Sequence, residues 1–486
     1  MKKLLVAALM VLLATPAFAA IQNVKVSGDI TESYVDLNSF DLGLTSAGLP
    51  VGLKKESDFI SQVRLRVDAD LSDNVSTTVG LVNERAWNAE NTPSYDTQGY
   101  NNDTNVQLYL ASITLRELLY SPLTVQIGRQ VFNYGNGLVL GDGGAINQGT
   151  GNLANIDQGL TERTAYDGVT ATLDYKPLTI SLIYFKNGQN LPSIDGTNVS
   201  NPEQNSDVYG YNANYQLNDP WSTVVEQYMF SRINGSGFGV TTGNDAIANQ
   251  GKGSTLYVPG LRASTNPYKG LNVQGELAWQ LGNNPVNTAS GNEAEHRDAM
   301  AAQFLASYSL PVLDKYKPTV NASYTYVSGD KNTGTNYPAS GTKSSKTDSA
   351  WDEFNTIQGA GTIYRAILPL SNENIFSAGA TVAPLEDVTV GATWTGLWAV
   401  DKYTNDGSNT LNIFQPDTGA APLAVPVSTK KNTYGLGNET DVNVTYNYTE
   451  DVTFGVSLGW YVPGSAFASA NRETASQAVA NVGVKF

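Results

Sequence analysis

The chain has 486 residues, no cysteine, one histidine, 26 tyrosines, 46 glycines and a formal net charge of −16. Without thiols there are no disulfides, no cysteine-borne lipid anchor and no thiol chemistry, and a lone histidine leaves ordinary zinc sites and His-paired nucleophiles without a partner. So acidic a balance also excludes nucleic acid as a partner of the molecule as a whole.

Residues 1–20, MKKLLVAALMVLLATPAFAA, carry two lysines, an apolar run from Leu4 to Leu13 and the small-residue pattern Ala17-Phe18-Ala19. This is the form of a secretory signal, with cleavage expected after Ala19 or Ala20; its apolar run is too short for a membrane span. Residues 21–486 are expected to form a single domain. No later run approaches the roughly eighteen apolar residues of a spanning helix, whereas a closed β-barrel needs only about ten residues per crossing, alternating in polarity.

Eighteen segments are predicted as strands: 23–35, 58–71, 75–87, 105–117, 122–130, 162–175, 177–186, 207–217, 221–233, 255–264, 270–281, 297–309, 318–329, 374–384, 388–398, 439–449, 452–462 and 475–486. Connections of odd rank are long, among them 36–57, 131–161, 282–296, 330–373 and 399–438. Those of even rank are short, such as Ser72-Asp73-Asn74 and Lys176-Pro177. Sorting by parity is what a barrel imposes, with turns at one end and loops at the other. The predicted fold is therefore an all-β transmembrane antiparallel barrel of about eighteen strands, with sixteen as the neighbouring possibility. Short turns are expected on the periplasmic side and long loops outside.

Period-two alternation marks the strands. Leu123, Val125 and Ile127 oppose Thr124, Gln126 and Gly128; Leu271, Val273, Leu277 and Trp279 oppose Asn272, Gln274, Glu276 and Gln280. Val388, Val390, Trp394 and Trp398 oppose Thr389, Thr393 and Thr395. Lipid is expected on the first set and water on the second. Segments 221–233 and 255–264 alternate poorly, and Pro259 removes a ladder donor. The last strand ends at Phe486, an aromatic terminus of the kind that barrel insertion machinery recognises.

The strings IGRQVFNYGNGLVLG and ERTAYDGV resemble the alginate-export family of outer-membrane porins, through Gly128-Arg129-Gln130, Tyr134-Gly135, and Arg163 with Tyr166-Asp167-Gly168-Val169. A second stretch, LGNETDVNVTYNYTEDVTFGVSLGWYVPGSAF, is similar to the same family at Gly437, Glu439, Asp441, Pro463 and Gly464. The resemblance implies an eighteen-stranded passive conduit, not a named substrate; with His296 the only histidine and no cysteine, neither enzymatic activity nor a cofactor is expected.

A conduit selects by bore, lining charge and inward-folding loops. Six of the eleven arginines, Arg64, Arg66, Arg85, Arg116, Arg129 and Arg163, fall within one hundred residues. Arginine keeps its charge and grips carboxylates at two points. Arg64, Arg66, Arg129 and Arg163 are the candidate solute-binding residues, with Arg116, Gln130, Tyr134, Tyr166 and Asp167 expected to line the bore. Two readings of these charges stand side by side: an anion-selective constriction, and ion pairs with Asp68, Asp70, Glu84, Glu162 and Asp167 that brace the wall. The Gly-rich loop from Val131 to Gly159 reads equally as a constriction or as an external loop. Asp195-Gly196-Thr197-Asn198 offers oxygen ligands but not the spacing of a calcium loop.

The expected function is passive movement of a small hydrophilic or anionic carbohydrate solute across an outer membrane. A weakly selective, cation-favouring diffusion porin is the alternative, and an adhesin or enzyme on a barrel pedestal the third. Expected partners besides the solute are outer-membrane lipid and lipopolysaccharide, and a monomer is expected rather than a trimer.

Overall fold

A computed structural model of the chain describes residues 23–44, 55–87, 106–120, 122–141, 165–188, 206–234, 254–288, 291–330, 347–354, 361–368, 370–401, 410–413, 423–426 and 433–486. Eighteen long strands close into a barrel. In chain order they are β1 (Asn23–Asn38), β2 (Lys55–Ser72), β3 (Val75–Ala86), β4 (Gln107–Leu115), β5 (Leu123–Gln130), β6 (Tyr166–Asp174), β7 (Leu178–Gly188), β8 (Ser206–Gln216) and β9 (Val224–Asn234). They continue as β10 (Thr255–Tyr268), β11 (Leu271–Thr288), β12 (Gly291–Ser309), β13 (Thr319–Val327), β14 (Glu373–Leu385), β15 (Val388–Ala399), β16 (Gly435–Asn447), β17 (Val452–Pro463) and β18 (Ala475–Lys485). Each pairs antiparallel with its neighbours in sequence, and β1 closes on β18 from Asp29↔Lys485 to Asn38↔Ser476. Beside the barrel, Thr347–Asp348 pairs with His296 and Arg297 of β12, and Thr410–Ile413 forms a separate hairpin with Leu423–Pro426.

Closure is completed by the last residue. Phe486 N donates to Gly28 O at 3.0 Å and Gly28 N to Phe486 O at 2.9 Å. A Cβ on Gly28 would stand 2.7 Å from the Phe486 ring, so only glycine lets the aromatic terminus lie across β1.

The alternation sorts the two faces. Val26, Ile30, Leu65, Leu277, Trp394, Trp398, Phe454, Val456 and Trp460 are exposed on the outside, as a lipid-facing band requires. Inward positions are polar near the short turns and apolar near the long connections, where Val35, Ile60, Phe185, Val208, Phe230, Val258 and Leu397 join a buried core.

That core explains the weak alternation of β9 and β10. Tyr228 and Phe230 point inward into a dry region while Gln227 and Ser231 face outward, so the usual polarity is inverted there. Pro259 sits opposite Met229; pairing to β11 lapses at Val258 and Pro259 and resumes in the same register at Gly260↔Ala278. The predicted loop 282–296 is instead a continuation of the β11–β12 ladder out to Thr288↔Gly291. Its sequence mixes Asn, Glu and Ser with Gly, Pro, Val and Ala and has no regular alternation by which to read it as a strand.

Candidate functional site

Two segments between strands fold into the bore. The first leaves β5 at Gln130. Phe132 packs on Phe185 with ring centroids 4.6 Å apart, and the chain turns at Gly135 (φ 62) and Gly137 (φ 73), left-handed positions that favour glycine. The turn docks on the wall at β9 and β11 through its backbone. Gly135 N donates to Glu226 Oε1 at 2.9 Å and Asn136 N to Glu276 Oε2 at 3.1 Å. Arg262 Nε donates to Asn136 Oδ1 at 2.9 Å and pairs with Glu226 at 3.1 Å, while Tyr228 OH donates to Glu276 Oε1 at 2.7 Å. Leu138, Val139 and Leu140 are buried behind it. Burial pushes the Tyr134 phenol up to about 12, which keeps it a neutral group in the docked turn.

The second segment lies between β13 and β14. Asp352 Oδ2 is gripped by Arg232 of β9 at 2.7 Å and Arg297 of β12 at 3.1 Å, and Arg297 also approaches Asp348 at 3.5 Å. Gln280 closes on the Asp352 backbone from both sides, its Nε2 donating to the carbonyl at 2.5 Å and its Oε1 accepting from the amide at 2.9 Å. Further along, the carboxylate of Glu439 on β16 accepts the backbone N–H groups of Thr362, Ile363 and Tyr364 at 2.5, 2.8 and 2.7 Å, and Asp441 accepts from Thr362 Oγ1 at 2.9 Å. Gly361 (φ 63) leaves room for that carboxylate. A short helical turn, Tyr364–Ile367, follows, and Tyr364 OH donates to Glu373. Burial acts to raise the Asp352 carboxyl, but Arg232 and Arg297 outweigh it and the net direction is down. Glu353 has no such pairing, and burial pushes it up to about 8 although it accepts from Leu370 N. The long-connection end of the bore is thus narrowed from two sides by chain held through wall carboxylates and arginines.

The sequence-predicted residues separate into distinct groups. Arg64 and Arg66 line the bore wall, in pairs: Arg64 Nη2 lies 2.8 Å from Asp29, and Arg66 Nε 2.8 Å from Asp68. Arg116 reaches the inward Ser76 Oγ at 3.0 Å near the short turns. Gln130 points inward but is sealed, donating to the carbonyls of Gln126 and Gly168 and accepting from Thr170. Tyr166 stacks on Phe185 at 4.7 Å and, like Tyr134, belongs to the dry core rather than to a wet lining. Arg129 and Asp167 are not in the bore. They face outward in register with Ile127 and Val169, paired to each other at 3.2 Å, at the strand ends next to the long connection. Lys186 and Asp207 form a similar outward pair at 2.5 Å at the ends of β7 and β8. Arg163, Glu162 and the Asp195–Asn198 run lie outside the described residues. His296 is exposed, with Nδ1 3.1 Å from Asn283 Oδ1. Of the groups that shape the bore, Glu226, Arg232, Arg262, Glu276, Arg297 and Glu439, none is among the candidate site residues; the signs of them in the sequence are Glu439 in the family-like stretch, Glu276 on the water-facing side of its strand, and the inverted alternation around Tyr228 and Phe230.

A closed barrel with a lipid-facing exterior and inward-folded loops is the architecture of an outer-membrane porin. It is similar to OccK2 (OpdF) of Pseudomonas aeruginosa, solved in complex with glucuronate, at 12% identity and TM-score 0.51 over 96% of this chain and 99% of that one. It is also similar to OccAB1 of Acinetobacter baumannii, at 12% identity and TM-score 0.53 over 97% and 99%, and to OccD3 (OpdP) of P. aeruginosa, at 11% and 0.52 over 96% and 92%. No curated protein matches the sequence. The model of the alginate export family matches residues 230–481, and the chain belongs to that family. It is an outer-membrane porin-like channel.

Proposed function

We propose that this channel passes small hydrophilic solutes passively and favours anionic sugars. The observation that carries the reading is the placement of cations at the short-turn end of the bore. Lys485, Asp29 and Arg64 stand in one row across β18, β1 and β2, and Lys25 lies opposite Asp68 beside Arg66. At the other end the wall carboxylates Glu226, Glu276 and Glu439 are taken up by backbone N–H groups of the loops, which removes much of the acidic surface from the path of a solute. Membership of the alginate export family and the sugar acid bound by OccK2 agree with a carboxylate-bearing solute.

Reversal potentials across a planar bilayer in a salt gradient test the proposal. Anion preference is expected, and Arg64→Gln with Arg66→Gln should abolish it. Cation preference that the double variant leaves unchanged would favour a weakly selective diffusion porin instead. One observation supports that second reading: each of these arginines already has an aspartate partner. Removal of residues 1–20, contact of the outer rim with lipopolysaccharide, insertion through Phe486 and a monomeric state belong to the same proposal. The mass of the mature protein and its size in detergent check the first and the last.

A further inference from the structure

The outward faces of β5, β6, β7 and β8 carry one charged residue each: Arg129, Asp167, Lys186 and Asp207. Every outward position between these charges and the short turns is apolar or aromatic, as at Ile127, Val169, Leu182 and Tyr209. The four charges lie at one height. Arg129 pairs in register with Asp167 and Lys186 with Asp207, while Asp167 and Lys186 each stand one residue beyond the pair Gly168↔Phe185. They form a row of alternating sign beside the long connections, its two cations two strand spacings apart, about 10 Å. A charge on the lipid face is costly in mid-membrane and cheap near an interface, so the row marks the level at which headgroups begin.

Within the row the cations are only partly matched. Arg129 reaches Asp167 through one nitrogen, Nη1 at 3.2 Å, and its Nε is buried without an acceptor among the described residues. Lys186 Nζ lies 2.5 Å from Asp207 Oδ1, an oxygen that also accepts from Tyr184 OH at 3.2 Å. One carboxylate oxygen meets one of the three donors that an ammonium carries. One layer towards the membrane centre, Tyr184 and Tyr209 pack with ring centroids 5.0 Å apart, and Ile127 and Leu182 are exposed beside and below them. From the rim inward the surface therefore offers two cations with donors to spare, an aromatic shelf and an apolar flank. An amphiphile with acyl chains and two phosphates on a sugar headgroup matches it in that order, because phosphate oxygens accept from a guanidinium fork and from an ammonium alike.

We infer that the outward row on β5 to β8 binds lipopolysaccharide, with Arg129 and Lys186 each taking one phosphate of its lipid A disaccharide. The row lies at the end that the long connections turn to the outside, where this amphiphile forms the leaflet, and a phospholipid brings one phosphate where two cations wait. The inference rests on the lipopolysaccharide contact proposed above and gives that contact a place on the barrel.

The test titrates the full chain in detergent, with EDTA present, with bisphosphorylated lipid A, its phosphate-free form and phosphatidylglycerol, and counts bound lipid by native mass spectrometry. The wild type should hold bisphosphorylated lipid A about tenfold or more tightly than either of the others. Arg129→Gln combined with Lys186→Gln should remove that preference, and Asp167→Asn should keep it. Lys315→Gln combined with Lys317→Gln, at the exposed turn between β12 and β13, loses as much charge and should change nothing. If the wild type prefers lipid A and the Arg129/Lys186 variant does so equally well, the inference falls while the lipopolysaccharide contact stands. A wild type that does not prefer lipid A removes the contact and the inference together. Equal weakening by the Lys315/Lys317 variant would mean attraction to the whole charged surface, and also overturns the inference. Preference that appears only without EDTA, or that Asp167→Asn abolishes, would put a divalent cation on the aspartates in place of the direct contacts, and overturns it too. Lys186→Gln alone carries the comparison if the double variant does not assemble.

Discussion

At the long-connection end of the bore, Glu276 is 1% exposed and Glu439 fully covered, and both are closed off by backbone N–H groups. At the short-turn end the side chains of Arg64 and Asp29 are 30% and 20% exposed, and those of Arg66 and Asp68 47% and 33%. The same residue types therefore do unlike work. Where water is excluded, a wall carboxylate accepts from chain that has left a strand, and losing it strands a buried donor. Where water remains, an ion pair is screened and contributes little to stability, so its charges are available to a solute.

Glu439→Ala should break the contrast most. It leaves three buried N–H groups of residues 362–364 without an acceptor, a loss on the order of 3–5 kcal/mol. The second segment should leave the wall, seen as a several-fold rise in conductance and as new proteolytic cleavage between residues 347 and 372 in a barrel that still assembles. Glu276→Ala should have a smaller effect, about 2–3 kcal/mol, because it strands Asn136 N and Tyr228 OH while Glu226 still holds Gly135. Its readout is a conductance rise with cleavage confined to the first segment.

A pH dependence should follow from Glu353. Its carboxyl is raised from an ordinary 4.5 to about 8 in the docked segment, so the docked form holds its proton more tightly than the released one. That stabilisation is fully present below about pH 4.5 and is lost as pH rises towards and through about 8. Proteolysis of the second segment should accelerate over this interval, and Glu353→Gln should flatten the profile. The smallest effect is expected outside the bore. Arg129→Gln and Asp167→Asn should leave the reversal potential unchanged and stability within about 0.5 kcal/mol, since the pair faces outward and is partly exposed. A selectivity shift from either variant would contradict the outward placement.

The barrel was legible because both of its signals are local. Alternation reports which solvent wets each face, and the parity of connection lengths reports which end of the barrel they close. The facing of Arg64 and Arg66 followed from Val63, Leu65 and Val67 on the opposite side. The same logic, applied to Leu123, Val125 and Ile127, places Arg129 outside; the expectation of a bore lining gave weight to charge over alternation, although a strand end at the membrane rim tolerates charge. The docking groups were illegible for another reason. Asn136 and Glu276, or Tyr364 and Glu439, are far apart in sequence, and no periodicity connects them. The apolar inward side of β9 and the glycines of the loop after β5 are the local signs that the bore is filled at that height.

The contact of Gly28 with Phe486 bears on how the cylinder closes. Every other seam in the cylinder joins strands that are adjacent in sequence, but this one joins β1 to β18, more than four hundred residues apart in the chain. Until it forms, two unpaired edges are open to whatever lies nearby, and each is a template for aggregation. Both edges disappear together when β1 and β18 pair, and the aromatic ring of Phe486 lies across that seam.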